Sequence, residues 1–195
     1  MINIAFLASH NGSAAQAIAR ACLNGTLPAK PVLLVSNNEG SNALKWAKEL
    51  RLKTALINAG NAADPDGAIA GLIEDHDIGL VVCSGYMKLI GPKTIAAAHG
   101  AILNVHPALL PRHGGKGMYG RHVHQAVFDN KESETGITIH LVDSEYDRGR
   151  ILAQKRLPVR NGESVDAIEE MVKAAEPDFY IETLRRILSG DITLG

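Results

Sequence analysis

Short apolar runs alternate with helix-like stretches over the first hundred residues, and this alternation constrains the fold more than any other feature. Strands that alternate with helices form a parallel sheet whose faces the helices cover. One of the runs is almost wholly apolar, as expected for a strand that is covered on both faces. The strand-like runs are 2–8, 31–37, 53–58, 78–87 (the almost wholly apolar one) and 101–106.

The pattern changes after residue 106. A helix-like stretch at 120–130 is followed by two β-rich runs around a polar loop within 135–159, which we expect to pair antiparallel. Residues 164–190 predict a long helical segment, interrupted or kinked near Pro177 because proline lacks the N–H that an inner helical turn requires. The chain shows no repeat and no linker. We therefore predict one α/β domain over residues 1–195, with a mainly parallel mixed β-sheet flanked by helices.

Charge and composition argue against several classes of partner. The chain has 20 basic and 21 acidic residues, so it lacks the positive surface that nucleic acid or an anionic membrane would require. No apolar run approaches the ~20 residues that span a bilayer, and the first residues lack the basic segment of a signal peptide. Cys22 and Cys83 lie in a helix-like and a strand-like stretch, which predicts buried, reduced thiols. These features favour a cytoplasmic protein with no nucleic-acid or membrane partner.

A glycine-containing loop joins the first strand to the first helix. Gly12 and Ser13 lie at this junction, where free backbone N–H groups and the positive end of a helix favour a phosphate group. The spacing is not the dinucleotide fingerprint, and the stretch at 113–117 is not a P-loop. A plain turn in which Ser13 caps the helix explains the same residues, so both interpretations stay open.

Polar side chains also occur where the fifth apolar run ends. Asn104 and His106 are two residues apart, so both point to the same face of a strand. An amide and an imidazole are suitable donors for a developing oxyanion, and histidine moves protons near neutral pH. The polar loop supplies Asp143, Glu145 and Asp147, any of which would favour the protonated imidazole. Polar groups that only satisfy a strand terminus are the alternative.

The remaining histidines do not predict a metal site. His113, His122 and His124 lie close in sequence, but no cysteine is near and no zinc-binding spacing is met. His122 and His124 are two apart in a helix-like stretch, so they would not share a face. His140 reads as a strand residue that could reach the same cleft as Asn104.

Several of these stretches resemble the folate-dependent formyltransferase family, in the family's order and over nearly the whole chain. The resemblance implies a Rossmann-like formyltransferase fold. It also implies transfer of a formyl group from 10-formyltetrahydrofolate, a cosubstrate, to the amine of glycinamide ribonucleotide, without a metal, by a monomer or homodimer. The stretches are "SHNGS" (9–13), "SGYMKLIGP" (84–92), "ILNVHPALLP" (102–111), "GITIHLVDSEYDRGRIL" (136–152) and "VKAAE" (172–176).

The resemblance assigns roles residue by residue. The catalytic set it implies is Asn104, His106 and Asp147, with His140 as a possible supporting residue. The residues it implies for the substrate phosphate and ribose are Gly12, Ser13, Ala14, Lys173 and Glu176. The residues it implies for the folate are Met87, Lys88, Leu89, Ile90, Ile102 and Val142.

The chain departs from the family pattern at a few positions. The loop reads "SHNGSA", with His10 and Ala14 where the family commonly has Gly and Asn. Pro177 stands where a histidine is frequent, and Arg148 fills a position that is usually small or acidic. These changes keep three alternatives open: a formyltetrahydrofolate hydrolase, a formyltransferase that acts on another amine such as a methionyl-tRNA or a nucleotide sugar, and a non-catalytic protein that binds a phosphorylated metabolite.

Overall fold

The computed structural model describes residues 1–195 and contains one seven-stranded sheet with helices on both faces. The strands are β1 (Ile2–Leu7), β2 (Ala29–Ser36), β3 (Lys53–Leu56), β4 (Leu80–Cys83), β5 (Ile102–His106), β6 (Glu134–Leu141) and β7 (Ile151–Pro158). The helices are α1 (Ser13–Leu23), α2 (Asn42–Glu49), α3 (Pro65–Asp75), α4 (Pro92–Ala97), α5 (Arg121–Asp129) and α6 (Val165–Leu188). No helix combines the length and the apolar character that crossing a membrane requires.

The strand order is β3-β2-β1-β4-β5-β6-β7. Strands β1 to β5 are parallel, whereas β6 pairs antiparallel with both β5 and β7. The predicted parallel sheet with an antiparallel extension is therefore confirmed. The chain order reverses between β1 and β4, and in open α/β sheets ligands bind outside the carboxyl ends of the strands at such a point.

Two apolar cores lie on opposite faces of the sheet. One contains Phe6, Trp46 and Tyr180 under α1, α2 and α6, and the other contains Val81 and Ile69 under α3 and α4. All four residues of β4 are buried, as its apolar sequence predicts. The two cysteines are buried and free, which confirms that prediction.

The helices mostly follow the local sequence, but α1 and α6 differ from the expectation. Ser41 caps α2 and Asp64 caps α3 with their side chains, which are residue types favoured at this position. Helix α1 instead begins after Gly12, a left-handed residue with φ 58°, so Ser13 is the first helical residue and not its cap. Helix α6 runs through Pro177 without the interruption that the proline suggested. Buried residues on both sides of the proline, among them Tyr180, hold the two halves of α6 against the sheet.

Candidate active site

The ends of β5 and β6 bring together the polar side chains singled out in the sequence. Asn104 lies opposite His140 in the antiparallel pairing, and the Asn104 amide Nδ2 donates to His140 Nε2 over 3.1 Å. On the other side of the ring, the His140 Nδ1–H donates to the Leu141 carbonyl over 2.8 Å. His106, two residues beyond Asn104, is 3% exposed. His140 therefore does reach the cleft of Asn104.

Asp147 connects the two histidines from the loop between β6 and β7. Its Oδ2 lies 3.5 Å from His106 Nδ1, and its Oδ1 lies 3.5 Å from His140 Nε2. The backbone N–H of Gly115 donates to Oδ2 over 2.8 Å. Burial alone would raise the pKa of Asp147, but the contact with His140, the charge that His106 carries when protonated in acid and the Gly115 N–H together lower that pKa. Asp147 is therefore an ionised carboxylate at neutral pH.

The state of His106 differs from the expectation. Burial lowers the pKa of His106, and the carboxylate of Asp147, which raises it, offsets the burial only in part. The ring is therefore neutral near pH 7, whereas the neighbouring acid had suggested a protonated imidazole. The Nε2–H already donates to the His113 carbonyl over 2.7 Å, so a further proton would be taken up at Nδ1, beside Asp147.

Two backbone groups of the glycine-rich loop at 111–120 hold this pair in place. They are the His113 carbonyl, on His106, and the Gly115 N–H, on Asp147. Gly114 lies between them, and a Cβ there would lie 2.4 Å from Leu110 Cδ2, so the Leu110 side chain would have to shift. Sequence reasoning missed these contacts, since backbone groups carry no residue-type signal and the loop meets Asp147 only in the folded chain.

The loop before α1 offers a row of free donors. The backbone N–H groups of residues 10–14 donate to no protein acceptor, and they lie at the positive end of a helix. Ser13 is exposed, whereas the side chain of Ala14 is completely buried, so residue 14 can offer only its backbone outwards. Consecutive N–H groups at a helix N-terminus form a concave site for an anion.

Helix α6 carries the two residues that the resemblance assigned to ribose and phosphate. Lys173 is exposed and pairs with Glu169 rather than with Glu176. Burial raises the pKa of Glu176 to about 7, and the charge of Lys173 opposes that rise. The same charge acts on the buried His124 of α5. Burial lowers the pKa of His124, and its Nδ1 has no hydrogen-bond partner. The charge of Lys173 therefore acts on a buried group of each helix.

Two cavities border residues 86–90, which we call the segment after β4. A narrow one of about 60 Å³ borders the polar cluster, and a wide one of about 600 Å³ lies at the carboxyl ends of β2 and β3. The narrow cavity is far below the volume of a typical ligand pocket, whereas the wide one is within that range. The residues that line both cavities are Tyr86, Lys88, Leu89 and Ile90.

The other residues that the resemblance assigned to the folate lie differently. Val142 lines the narrow cavity. Ile102 is completely buried and lines neither cavity, and its carbonyl accepts from the Val142 N–H. Met87 lines neither cavity, and its backbone N–H donates to Ser9 Oγ over 2.7 Å. Tyr86 and Tyr146 also line the narrow cavity and were missed, although both follow strand ends of the kind that build such sites.

The histidines considered for a metal are separated. His113 contacts Glu132, His122 packs against Tyr119 on the surface, and His124 is buried beside α6. No group of three or more His, Cys, Asp or Glu side chains is arranged to hold a metal ion.

Comparisons with known proteins agree with this arrangement. The family described as formyl transferase matches residues 2–184. Phosphoribosylglycinamide formyltransferase of Haemophilus influenzae is 32% identical over 197 residues, which cover 100% of this chain and 91% of that protein. The chloroplastic phosphoribosylglycinamide formyltransferase of Arabidopsis thaliana is 32% identical over 94% of this chain, which spans only 64% of that relative.

A solved structure shows the same fold. Glycinamide ribonucleotide transformylase 1 from Symbiobacterium toebii superposes with a TM-score of 0.89 at 27% identity, over 97% of this chain and 89% of that one. The seven-stranded sheet and the order of its helices are therefore those of an established architecture.

Proposed function

The chain belongs to the formyl transferase family, and from that premise we propose that it transfers a formyl group from 10-formyltetrahydrofolate to the amine of glycinamide ribonucleotide, a step of de novo purine synthesis. We further propose that residues 1–195 act as a single formyltransferase domain. The observation that carries the proposal is the convergence of Asn104, His106, His140 and Asp147 at the carboxyl end of β5. This position adjoins the segment after β4, and β4 separates it from β1, whose carboxyl end leads to the free N–H groups.

Asn104 and His106 would stabilise the oxyanion that develops on the formyl oxygen. Each has an N–H donor, and each donor now has a protein acceptor, namely His140 for Asn104 and the His113 carbonyl for His106. Binding of the substrates would exchange these acceptors for the formyl oxygen, where preorganised donors are most effective. His140 would keep the Asn104 amide oriented until then.

Asp147 would move the proton that the reaction displaces. The amine attacks the formyl carbon, a C–N bond forms, and the bond from that carbon to the folate nitrogen breaks. One proton must pass from the attacking amine to the departing nitrogen, and the ionised Asp147 can accept it and return it, directly or through a water molecule. His106 Nδ1, 3.5 Å from Asp147, can share the proton meanwhile.

The phosphate of the nucleotide would bind to the N–H groups of residues 10–14, which include Gly12, Ser13 and Ala14. Lys173 would supply a positive charge, and Glu176 would bind the ribose hydroxyls. The raised pKa of Glu176 suits this role, since a carboxyl group near its midpoint can donate or accept a hydrogen bond.

The folate would bind along Met87, Lys88, Leu89 and Ile90, with Val142 facing it and Ile102 supporting Val142 from below. The narrow cavity holds only about 60 Å³, so we propose that the loop that carries Tyr146 moves outwards when the folate binds. The formyl group travels on the folate, so the protein contributes position and electrostatics. No metal, nucleic acid or membrane is expected, and we propose a cytoplasmic monomer or homodimer.

The test is a formyl-transfer assay with the pure protein, a 10-formylfolate and glycinamide ribonucleotide, followed by the absorbance of the folate. The rate should depend on the nucleotide and fall by at least about a hundredfold in His106→Asn. His99→Asn, the same change at an exposed histidine, should keep the wild-type rate. A wild-type rate that His106→Asn leaves unchanged would refute the proposed chemistry.

A further inference from the structure

The loop that precedes α1 is held from behind by the first turn of α2. The His10 carbonyl accepts from Ser41 Oγ over 2.6 Å and from the Ala43 N–H over 2.9 Å. The Asn11 carbonyl accepts from the indole Nε1–H of Trp46 over 2.8 Å. Two successive carbonyls of the loop therefore point into α2.

The indole is itself fixed by the core. Trp46 is 5% exposed and packs edge-to-face against Phe6, with 6.4 Å between the ring centroids. The loop lies directly on this surface, since a Cβ added to Gly12 would be 3.7 Å from the Trp46 ring and 3.4 Å from Ala43 Cβ. A rigid aromatic ring thus presents one directed donor to one loop carbonyl.

The direction of a carbonyl decides where the next N–H points. In a planar trans peptide the C=O of one residue and the N–H of the next point in opposite directions. Holding the Asn11 carbonyl against Trp46 therefore directs the Gly12 N–H away from α2. In the same way, the two donors on the His10 carbonyl direct the Asn11 N–H away from α2. Both N–H groups belong to the row that has no protein acceptor.

We propose that Trp46 is a positioning residue for the phosphate of the nucleotide, acting through the Asn11–Gly12 peptide; this inference rests on the proposed function of the loop. The indole keeps the peptide in the orientation that phosphate binding needs before the nucleotide arrives. The cost of ordering the loop is then met during folding and not during binding.

The first experiment replaces Trp46 with Phe, which keeps an aromatic ring beside Phe6 and removes the donor. The KM for glycinamide ribonucleotide should rise about 5- to 20-fold, the range expected for one lost hydrogen bond. The kcat at saturation and the KM for the folate should change less than about twofold. Thr183→Val is the matched control, because it removes another buried donor, whose acceptor is the Phe179 carbonyl within α6 and not a carbonyl of the loop. It should leave both KM values unchanged.

The second experiment needs no variant, because Trp46 is the only tryptophan of the chain. Titration with ribose 5-phosphate should change its fluorescence with the same midpoint that calorimetry gives for binding, and ribose should have no effect. The phosphate charge would lie one peptide away from the indole, so binding without a change in emission would overturn the inference, even if Trp46→Phe fails to fold.

The outcomes separate this inference from the proposed function. An active wild-type enzyme whose nucleotide KM is unchanged in Trp46→Phe would overturn the positioning role and leave the function standing. A wild-type protein that transfers no formyl group would contradict the function, while the fluorescence titration would still decide whether Trp46 reports on a bound phosphate.

Discussion

The strand-end cluster and the loop at 10–14, which we propose to serve one reaction, are built from different parts of the chain. The cluster consists of the side chains of Asn104, His106, His140 and Asp147, and the pKa values of His106 and Asp147 depend on burial and on their neighbours. The loop at 10–14 presents backbone N–H groups, and its shape depends on residues behind it, such as Trp46. A change of residue type should therefore abolish the function of the cluster but only weaken that of the loop.

This difference explains how the loop can depart from the family pattern. His10 is exposed, and Ala14 is buried beneath the loop, so neither change removes an N–H group. The cluster has no such freedom, because each of its members contacts another through a specific side-chain atom.

The largest effect is expected for Asp147→Asn, which removes the charge and keeps the shape. The kcat for formyl transfer should fall about 10²- to 10⁴-fold, since the amide cannot accept the displaced proton. Both KM values should stay within about threefold, as measured by steady-state kinetics. Asp178→Asn, at an exposed position of α6, is the matched control and should behave as wild type. A kcat within tenfold of wild type would show that the cluster is not the catalytic centre.

The sequence predicted the elements better than their mutual contacts. Alternating apolar runs were enough for the parallel sheet, because each strand is covered locally by the helix that follows it. The positions of Asn104 and His106 on one strand also followed from spacing alone. The contacts of Asp147 with Gly115, and of His106 with the His113 carbonyl, could not follow from sequence, because they depend on how two distant loops meet.

Burial was the other quantity that the sequence did not supply. The expectation of a protonated His106 rested on its acidic neighbour. It did not include the loss of water around the buried ring, which has the largest effect on the pKa of His106. The expectation of an interruption at Pro177 rested on one missing hydrogen bond. It did not include the packing of buried residues on both sides of the proline, with which α6 stays continuous.

The next effect concerns Glu176, the side chain that we propose binds the ribose. Burial raises its pKa from 4.5 to about 7, so the folded protein holds a proton that the unfolded chain releases between those values. The free energy of unfolding should therefore fall as pH rises from about 4.5 to 7 and level off above. At about 1.4 kcal/mol per pKa unit, the loss reaches roughly 3 kcal/mol. Glu176→Gln, which cannot ionise, should be more stable than wild type at pH 8 by up to about that amount.

Urea unfolding at pH 5 and pH 8 measures this difference. The gain from Glu176→Gln should be much smaller at pH 5, where the carboxyl group is mostly protonated, and Glu182→Gln, at an exposed position of α6, should show no such pH dependence. An equal gain at both pH values would mean that the carboxylate is not penalised by burial. The same variant should bind the nucleotide more weakly if Glu176 contacts the ribose.

A smaller effect is expected for Gly12→Ala, which tests the shape of the loop. Gly12 has a φ of 58°, and an added Cβ would lie 3.0 Å from Ala8 Cβ. The left-handed conformation alone costs a residue with a side chain about 1–2 kcal/mol. The free energy of unfolding should fall by at least that amount, and the nucleotide KM should rise while the folate KM does not. Gly25→Ala has a comparable φ of 81° with open space around it, so it should lower stability without changing either KM.

The smallest effect is expected for Ser13→Ala, which removes an exposed hydroxyl and keeps the backbone N–H. If backbone groups bind the phosphate, the nucleotide KM should rise no more than about fivefold, which corresponds to the loss of one weak hydrogen bond. A rise of a hundredfold or more in steady-state assays would mean that the loop acts through its side chains. The contrast between the loop and the strand-end cluster would then disappear.

The most direct test of the central claim follows the formyl carbon itself. A 10-formyltetrahydrofolate labelled with ¹³C at the formyl group is mixed with glycinamide ribonucleotide and the protein, and NMR records where the label goes. The account predicts that the label appears in the formamide of the nucleotide with wild-type protein and stays on the folate with Asp147→Asn. Label that appears as free formate, or transfer that Asp147→Asn leaves intact, would contradict it.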